Sequence, residues 1–238
     1  MLKKIKQIIE DQYYNPRLLG LIVNPFYIAR KGLYKEIKVL GFNIVGRTLD
    51  VGCGTKPYQQ LFKSDEYIGL EYDTGIDNIK KKADYYYDGK VFPFGDNEFD
   101  SIITNQVLEH IFSPNDFLSE INRVLKTNGK LLITVPFVWD EHEQPFDYAR
   151  YSSFGLKSLL NDNGFEILES KKSVNDFRVL AQLFNAYIYK ITNRNVLLKN
   201  VALILVMAPV TVLGILLAKI LPTNNDLYLD NIVLAKKI

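Results

Sequence analysis

The chain has one cysteine, Cys53, and only two histidines, His110 and His142, among 238 residues. A single thiol has no partner for an internal disulfide and cannot build a cysteine-rich metal centre; it is compatible with a reducing cytoplasm. Cys53 is read as packing beneath a turn. An excess of one charge is also missing, since 29 Lys and Arg against 27 Asp and Glu leave +2. That balance lacks the concentrated positive field that neutralises phosphates, so nucleic acid is not an expected partner. The first residues, Met1-Leu-Lys-Lys-Ile-Lys-Gln, are basic but lack the apolar core of a secretory signal, and the expected location is cytoplasmic. Apolar residues are plentiful, at 47%. This length and composition suit one α/β domain with an elaboration and exclude general disorder.

The stretch that organises the chain is Arg47-Thr-Leu-Asp-Val-Gly-Cys-Gly54. Leu49 and Val51 read as a short buried strand, after which Gly52 and Gly54 let the backbone turn sharply and leave room for a ligand. Ligands of doubly wound sheets lie beyond the carboxyl ends of the strands, although a lone Gly-x-Gly fits a plain tight loop equally well. Before it, residues 1–46 form a helical N-terminal cap broken at Asn15-Pro16 and Asn24-Pro25, where Tyr13, Tyr14, Phe26, Tyr27 and Tyr34 are read as packing. After it come a helix from about Pro57 to Phe62 and a strand from Tyr67 to Asp73. Glu71 ends that strand about 20 residues beyond the turn, the place from which a carboxylate accepts both hydroxyl hydrogens of an adenosine ribose, with Asp73 in reserve. A third strand, Asp84 to Asp88, brings Asp88 to the same cleft, where Val91 and Phe92 would flank an adenine ring. Phe99 to Thr104 is a fourth strand. A helix starting at Ser113-Pro114 carries Phe117, Leu118, Ile121, Val124 and Leu125 on one face and is closed by Asn128-Gly129. Lys130 to Val135 is a fifth strand, and Phe165 to Ser170 a sixth.

Taken together, Leu49 to Gly54, Phe92-Pro-Phe-Gly-Asp-Asn-Glu-Phe-Asp100, Leu108-Glu-His110 and Glu120-Ile-Asn-Arg-Val-Leu-Lys-Thr-Asn-Gly129 resemble, in order and spacing, the class I S-adenosylmethionine-dependent methyltransferases. The similarity spans roughly residues 45–172. It implies a Rossmann-like α/β fold with helices on both faces of a seven-stranded sheet, in the order 3-2-1-4-5-7-6 with the last strand antiparallel. It also implies a cofactor, S-adenosylmethionine, and roles for matching residues. Asp50, Gly52 and Gly54 would hold the methionyl part, Glu71 the ribose, Asp88 and Gly89 the adenine, and Asn105 would lie near the cofactor's amino group. One position departs from the pattern: many members have a third glycine where this chain has Lys56, followed by Pro57. The dinucleotide fingerprint of nicotinamide-dependent oxidoreductases, the rival reading, would need a glycine at Pro57.

The acceptor is sought in Phe137 to Tyr151, a loop of aromatics, carboxylates, His142 and Arg150 at the carboxyl edge of the sheet. His142 is the expected base, with Glu141 or Glu143 orienting it and Asp147 with Arg150 fixing a polar acceptor. His110 is read as structural. No metal is expected, because methyl transfer from a sulfonium needs none and a one-histidine cluster with Glu141, Glu143 and Asp147 is an uncommon ligand set. Asp176 to Ile191 reads as a helix. Val201 to Ala218 is then an uncharged run inside an apolar helical insertion, about 196–222, of a methyltransferase domain covering 47–238. The following Tyr228 to Lys237 resembles the family's last strand, which places both ends of the run on one side of any membrane. Pro209 and Gly214 would break it into two short helices. It is then a hairpin or apolar face in one leaflet, a buried pair, or the interface of a homodimer. The expected activity is O-methylation of a small-molecule, glycan or lipid-linked acceptor; a catalytically inactive binding protein on the same fold is the other alternative.

Overall fold

The computed structural model describes residues 2–73 and 82–238, with the side chains of residues 2–7 outside the description. The chain divides into two compact units.

The larger unit comprises Glu36–Phe137, Glu141–Lys171 and Asn231–Ile238. Its strands are β1 (Val45–Val51), β2 (Lys63–Tyr72), β3 (Tyr85–Tyr87), β4 (Phe99–Asn105), β5 (Leu125–Pro136), β6 (Phe165–Ser173) and β7 (Asp230–Lys237). They form one mixed sheet in the order β3-β2-β1-β4-β5-β7-β6, as the sequence leads one to expect. The β1–β2, β1–β4, β2–β3 and β4–β5 pairs are parallel. β4 and the second half of β5 are near-continuous buried runs, the pattern of central strands covered on both faces. α4 (Pro114–Val124) starts with Pro at the first turn and buries Phe117, Leu118, Ile121 and Val124, spaced to fall on one face. α5 (Ser153–Asp162) is capped by the Ser152 hydroxyl, which accepts from Gly155 N.

Several details differ from the sequence reading. Asn128-Gly129 does not close α4; the helix ends at Val124, and these residues lie within β5, where the β4–β5 register jumps from Phe99↔Leu125 to Ser101↔Lys130. The turn-forming pair therefore makes an irregularity in a strand. The helix expected over Pro57 to Phe62 is a single 3-10 turn, Gln59–Leu61, and the second strand begins earlier, at Lys63. Phe92 is not beside a ligand: it is 2% exposed, with its ring edge-on to Tyr87 and Phe117 at 5.0 and 6.1 Å.

Arg123 explains why two of the motifs occur together. Its guanidinium donates to the carbonyls of Phe92 (3.2 Å) and Phe94 (2.9 Å) and to Glu120 (2.8 Å), while the Glu120 carboxylate accepts from Phe92 N at 2.8 Å. α4 thereby pins the Phe92-Pro-Phe segment through its backbone.

The second unit comprises Met1–Lys35, Val138–Asp140 and Lys172–Asp230. It contains the helices α1 (Leu2–Tyr14), α2 (Gly20–Val23) and most of α3 (Tyr27–Leu40), then α6 (Arg178–Thr192), α7 (Val196–Ala202) and α8 (Ala208–Leu217). Phe26 packs edge-on to Trp139 and Tyr189 at 5.7 and 5.0 Å, and Gln182 of α6 accepts from Ala29 N and donates to Pro25 O, both at 3.1 Å.

Pro209 and Gly214 do not break the apolar run. Val196–Leu217 is one helix of 22 residues, with a π-helical turn at Leu203–Met207 just before Pro209. A widened turn accommodates the ring and missing N–H of proline without ending the helix. The Asn185 amide donates to the Met207 carbonyl at 3.2 Å and to the Thr211 hydroxyl at 2.8 Å. Ala202, Met207, Thr211 and Gly214 are buried, and a side chain at Gly214 would meet Ala181 of α6 at 2.6 Å. From Val201 to Leu217 the opposite face is exposed and apolar: Ile204 is 54%, Leu205 70%, Leu213 54% and Leu216 52% accessible.

Candidate active site

Two groups of side chains gather at the carboxyl ends of the parallel strands of the larger unit. The first surrounds the turn after β1. Gly52 N and Cys53 N donate to Leu70 O at 2.9 and 3.2 Å, which fastens the turn to β2. The two glycines serve different needs. Gly52 has φ +73° and a side chain there would lie 2.3 Å from Val107, so the backbone must pass close to the chain leaving β4. A side chain at Gly54, φ +50°, would meet nothing within 4 Å among the described residues, and that open side is room for a ligand against the backbone.

Glu71, at the end of β2, accepts from Gly54 N at 2.9 Å and from Tyr72 N at 3.2 Å. Asp88 follows β3, exposed, accepting from Lys90 N at 3.0 Å, and that backbone bond holds its carboxyl below the usual range. Asn105 closes β4, and its side-chain oxygen accepts from the Thr134 hydroxyl at 2.8 Å. Since Val51 is level with Leu70 and Thr104, and Tyr72 with Tyr87, the turn, Glu71, Asp88 with Gly89, and Asn105 come from the ends of four adjacent strands.

Asp50 is placed differently. It lies below the turn, 6% exposed, accepting from the Tyr67 hydroxyl at 2.7 Å, and burial pushes its pKa up to about 7. Tyr67 was not among the sequence candidates; it reaches Asp50 because Thr48 is level with Tyr67, which sets the ring diagonally beside Asp50 on the same face. Lys56, in the place of the family's third glycine, adopts the left-handed φ of +55°, and its ammonium pairs with Asp84, whose carboxylate also accepts from Gly69 N at 2.7 Å. Cys53 is buried, which pushes its thiol up to about 12, as suits a packing residue. An open polar cleft of about 450 Å³ lies beside the turn, lined by Thr55, Lys56, Gln59, Ser64 and Tyr67 among others. It shares none of Glu71, Asp88 or Asn105, and the strand-end cradle carries the chemistry better than this cleft does.

The second group joins the 3-10 turn Leu108–His110, after β4, to the loop after β5. Tyr148 N donates to Glu109 O at 2.8 Å, and His110 Nδ1 lies 2.7 Å from Phe146 O. Asp147 is the hub of the loop. It accepts from His142 N at 2.9 Å, lies 3.2 Å from His142 Nδ1, and takes both terminal nitrogens of Arg150 at 2.6 Å. The Arg150 guanidinium holds the Asp147 carboxyl down at about 2, so it is ionised at any working pH. Glu141 accepts from Gln144 Nε2 at 3.0 Å, and it is Asp147 that stands beside the His142 ring. The His110 and His142 rings meet edge to face at 4.9 Å.

A model of the methyltransferase domain matches residues 49–133, the segment holding the turn, Glu71, Asp88 and Asn105. An uncharacterised protein of Methanocaldococcus jannaschii is 34% identical over 158 residues, covering 60% of this chain and 76% of the relative. A Mycolicibacterium smegmatis protein named as a probable S-adenosylmethionine-dependent methyltransferase is 28% identical over 142 residues, 54% of this chain and 55% of that protein. The chain belongs to the class I S-adenosylmethionine-dependent methyltransferases. Among solved structures, the [4+2]-cyclase SpnF superposes with a TM-score of 0.54 at 22% identity, covering 87% of this chain and 80% of that one. That likeness concerns the methyltransferase fold alone, and shows that this fold is not tied to one reaction.

The strand-end cradle fits the cofactor implied by this methyltransferase family. The open side of Gly54 admits a chain against the turn, and Glu71 offers an acceptor carboxylate beside it.

Proposed function

We propose that this methyltransferase moves the methyl group of S-adenosylmethionine to an oxygen of a small-molecule, glycan or lipid-linked acceptor. The observation that carries the oxygen is the His142–Asp147 pair on the loop after β5, at the edge where the cofactor cradle opens. S-adenosylmethionine supplies a sulfonium methyl already activated for displacement. What the chain must add is binding, alignment and a place for the acceptor's proton. In this reading Glu71 accepts from the ribose hydroxyls, Asp88 and Gly89 receive the adenine, and the Gly52–Gly54 turn with Asn105 receives the methionyl part. Asp50 acts from beneath the turn: a carboxyl whose pKa is about 7 becomes ionised when an ammonium is bound above it.

Asp147, ionised and locked by Arg150, takes His142 Nδ1–H, which fixes the tautomer with its lone pair on Nε2. That nitrogen accepts the proton of an acceptor hydroxyl as the methyl is transferred. Glu141 serves in the same loop through Gln144.

The exposed apolar face of Val196–Leu217 supports a peripheral membrane contact and hence a lipid-linked acceptor. Its other side is tied to α6 through Asn185, so in this reading the helix lies on the leaflet and does not cross it. The enzyme is then cytoplasmic with a membrane-facing surface; a second copy of the chain is the other occupant that such a face accepts. The test is transfer of radiolabel from methyl-labelled S-adenosylmethionine to membranes and to the soluble metabolite fraction. Label in the organic-extractable fraction supports the lipid-linked reading. Cofactor binding with no transfer to either fraction favours the non-methylating alternative, which the cyclase on this fold keeps in view.

A further inference from the structure

We propose that Glu109, His110 and His142 form a binding site for a divalent transition metal ion such as Zn(II). One ligand atom from each residue lies within 4.8 Å of the other two. Two imidazoles and a carboxylate are a donor set suited to such ions. Bonds of about 2.0–2.2 Å set tetrahedral neighbours roughly 3.4 Å apart, so loading requires a contraction of up to about 1.4 Å from the 4.8 Å limit. Rotation of the His142 side chain, 30% exposed on its loop, is the natural source of that movement.

The surroundings resemble those that tune ligand histidines in metal sites. His110 Nδ1 stands 2.7 Å from the Phe146 carbonyl and His142 Nδ1 stands 3.2 Å from the Asp147 carboxylate. An acceptor at Nδ1 holds the proton there and turns the Nε2 lone pair outward on both rings, the arrangement in which imidazole binds a metal. Arg150 lies 3.5 Å from His142 Nδ1, but its two short bonds to Asp147 direct it to the carboxylate, leaving the ring to the closer acceptor.

Charge favours a cation. Glu109 is fully buried, a setting in which a carboxylate is best held beside positive charge. Against Arg150 stand Glu109, Asp147 and also Glu143, whose carboxylate is 3.9 Å from His110 Nε2. Three protein ligands leave a position open to an outside oxygen. That the oxygen belongs to the methyl acceptor is a step that rests on the O-methylation reading; metal binding itself does not. Coordination and proton acceptance use the same Nε2 lone pair of His142, so a loaded site would not employ His142 as a base.

The test is titration of the metal-free, untagged full-length chain with Zn(II) in competition with a chromophoric chelator. One equivalent should bind, with affinity reduced at least tenfold in His142→Ala and in His110→Ala. Asp147→Asn should lose about 10- to 100-fold by freeing the His142 ring, the usual cost of removing an outer-shell partner. Co(II) should give the visible absorption of a low-coordinate site in the parent and not in His142→Ala. Each variant is also titrated with S-adenosylhomocysteine; retained binding shows it to be folded, and because His142 is a loop residue its variant keeps the test decisive if a His110 variant fails to fold. Zn(II) affinity unchanged in His142→Ala, or no stoichiometric binding by the parent, overturns the proposal whatever the outcome for methyl transfer.

Discussion

Replacing Asp50 by Asn should flatten the dependence of stability on pH. Asp50 is buried, and its pKa stands near 7 against 3.8 for an exposed carboxyl; burial is the main cause, partly offset by the Tyr67 hydrogen bond and Lys56. The folded protein therefore binds more protons than the unfolded chain between these values, and this group's contribution is lost as pH rises through the interval. Each unit is worth about 1.4 kcal/mol, so between about pH 5 and about pH 8.5 the loss from Asp50 is roughly 3 kcal/mol. The Asn variant lacks it. Its side-chain oxygen still accepts from Tyr67, and the cost of seating two amide hydrogens is the same at both pH values and cancels. Urea unfolding of both ligand-free proteins at the two pH values should show the variant gaining about 3 kcal/mol on the parent at the higher one. Equal differences at the two values would mean that Asp50 titrates normally and that the buried, proton-holding carboxyl is a mistaken picture.

The Arg123→Ala variant should lose about 2–4 kcal/mol in the same assay, because it frees two carbonyls and leaves Glu120 without its guanidinium; a loss below about 0.5 kcal/mol would show that the Phe92-Pro-Phe segment is held by its own packing. Leu205→Glu with Leu213→Glu should leave folding intact, since both side chains are exposed. It should abolish flotation with phospholipid vesicles, each buried leucine being worth about 1.5–3 kcal/mol; unchanged flotation would remove the helix face as the contact. His142→Ala should cut turnover about 10²- to 10⁴-fold at unchanged cofactor affinity, the range for removing a general base or the ligand of an activating metal. Unchanged turnover would exclude His142 from the chemistry.

Much of this arrangement was legible in the residues, and the exceptions have physical causes. The sheet order was legible through the resemblance that the ordered motifs carry to class I methyltransferases, and Gly52, Gly54 and Glu71 could be paired because the acidic strand end follows the glycine turn by about 20 residues. Contacts that depend on register were not legible. Tyr67 reaches Asp50 only through the level pairing of Thr48 with Tyr67, and His110 meets His142 only because β4 and β5 are neighbours whose exits face each other. The signal for His110 was present in Leu108-Glu-His110, but its partner lies 32 positions on in an irregular loop. Local rules misjudged Asn128-Gly129 and Pro209 for a common reason. Both are breakers in isolation, and both were absorbed by a widened element, an irregular strand pairing in one case and a π-turn in the other.

The central claim is that the strand-end cradle holds S-adenosylmethionine, and calorimetric titration with its demethylated product, S-adenosylhomocysteine, tests it most directly. The parent should bind one equivalent, and Glu71→Ala should bind about 100-fold more weakly, from two charge-assisted hydrogen bonds worth about 1.5 kcal/mol each. Undiminished binding by Glu71→Ala, or binding of NAD in place of S-adenosylhomocysteine by the parent, would contradict the account.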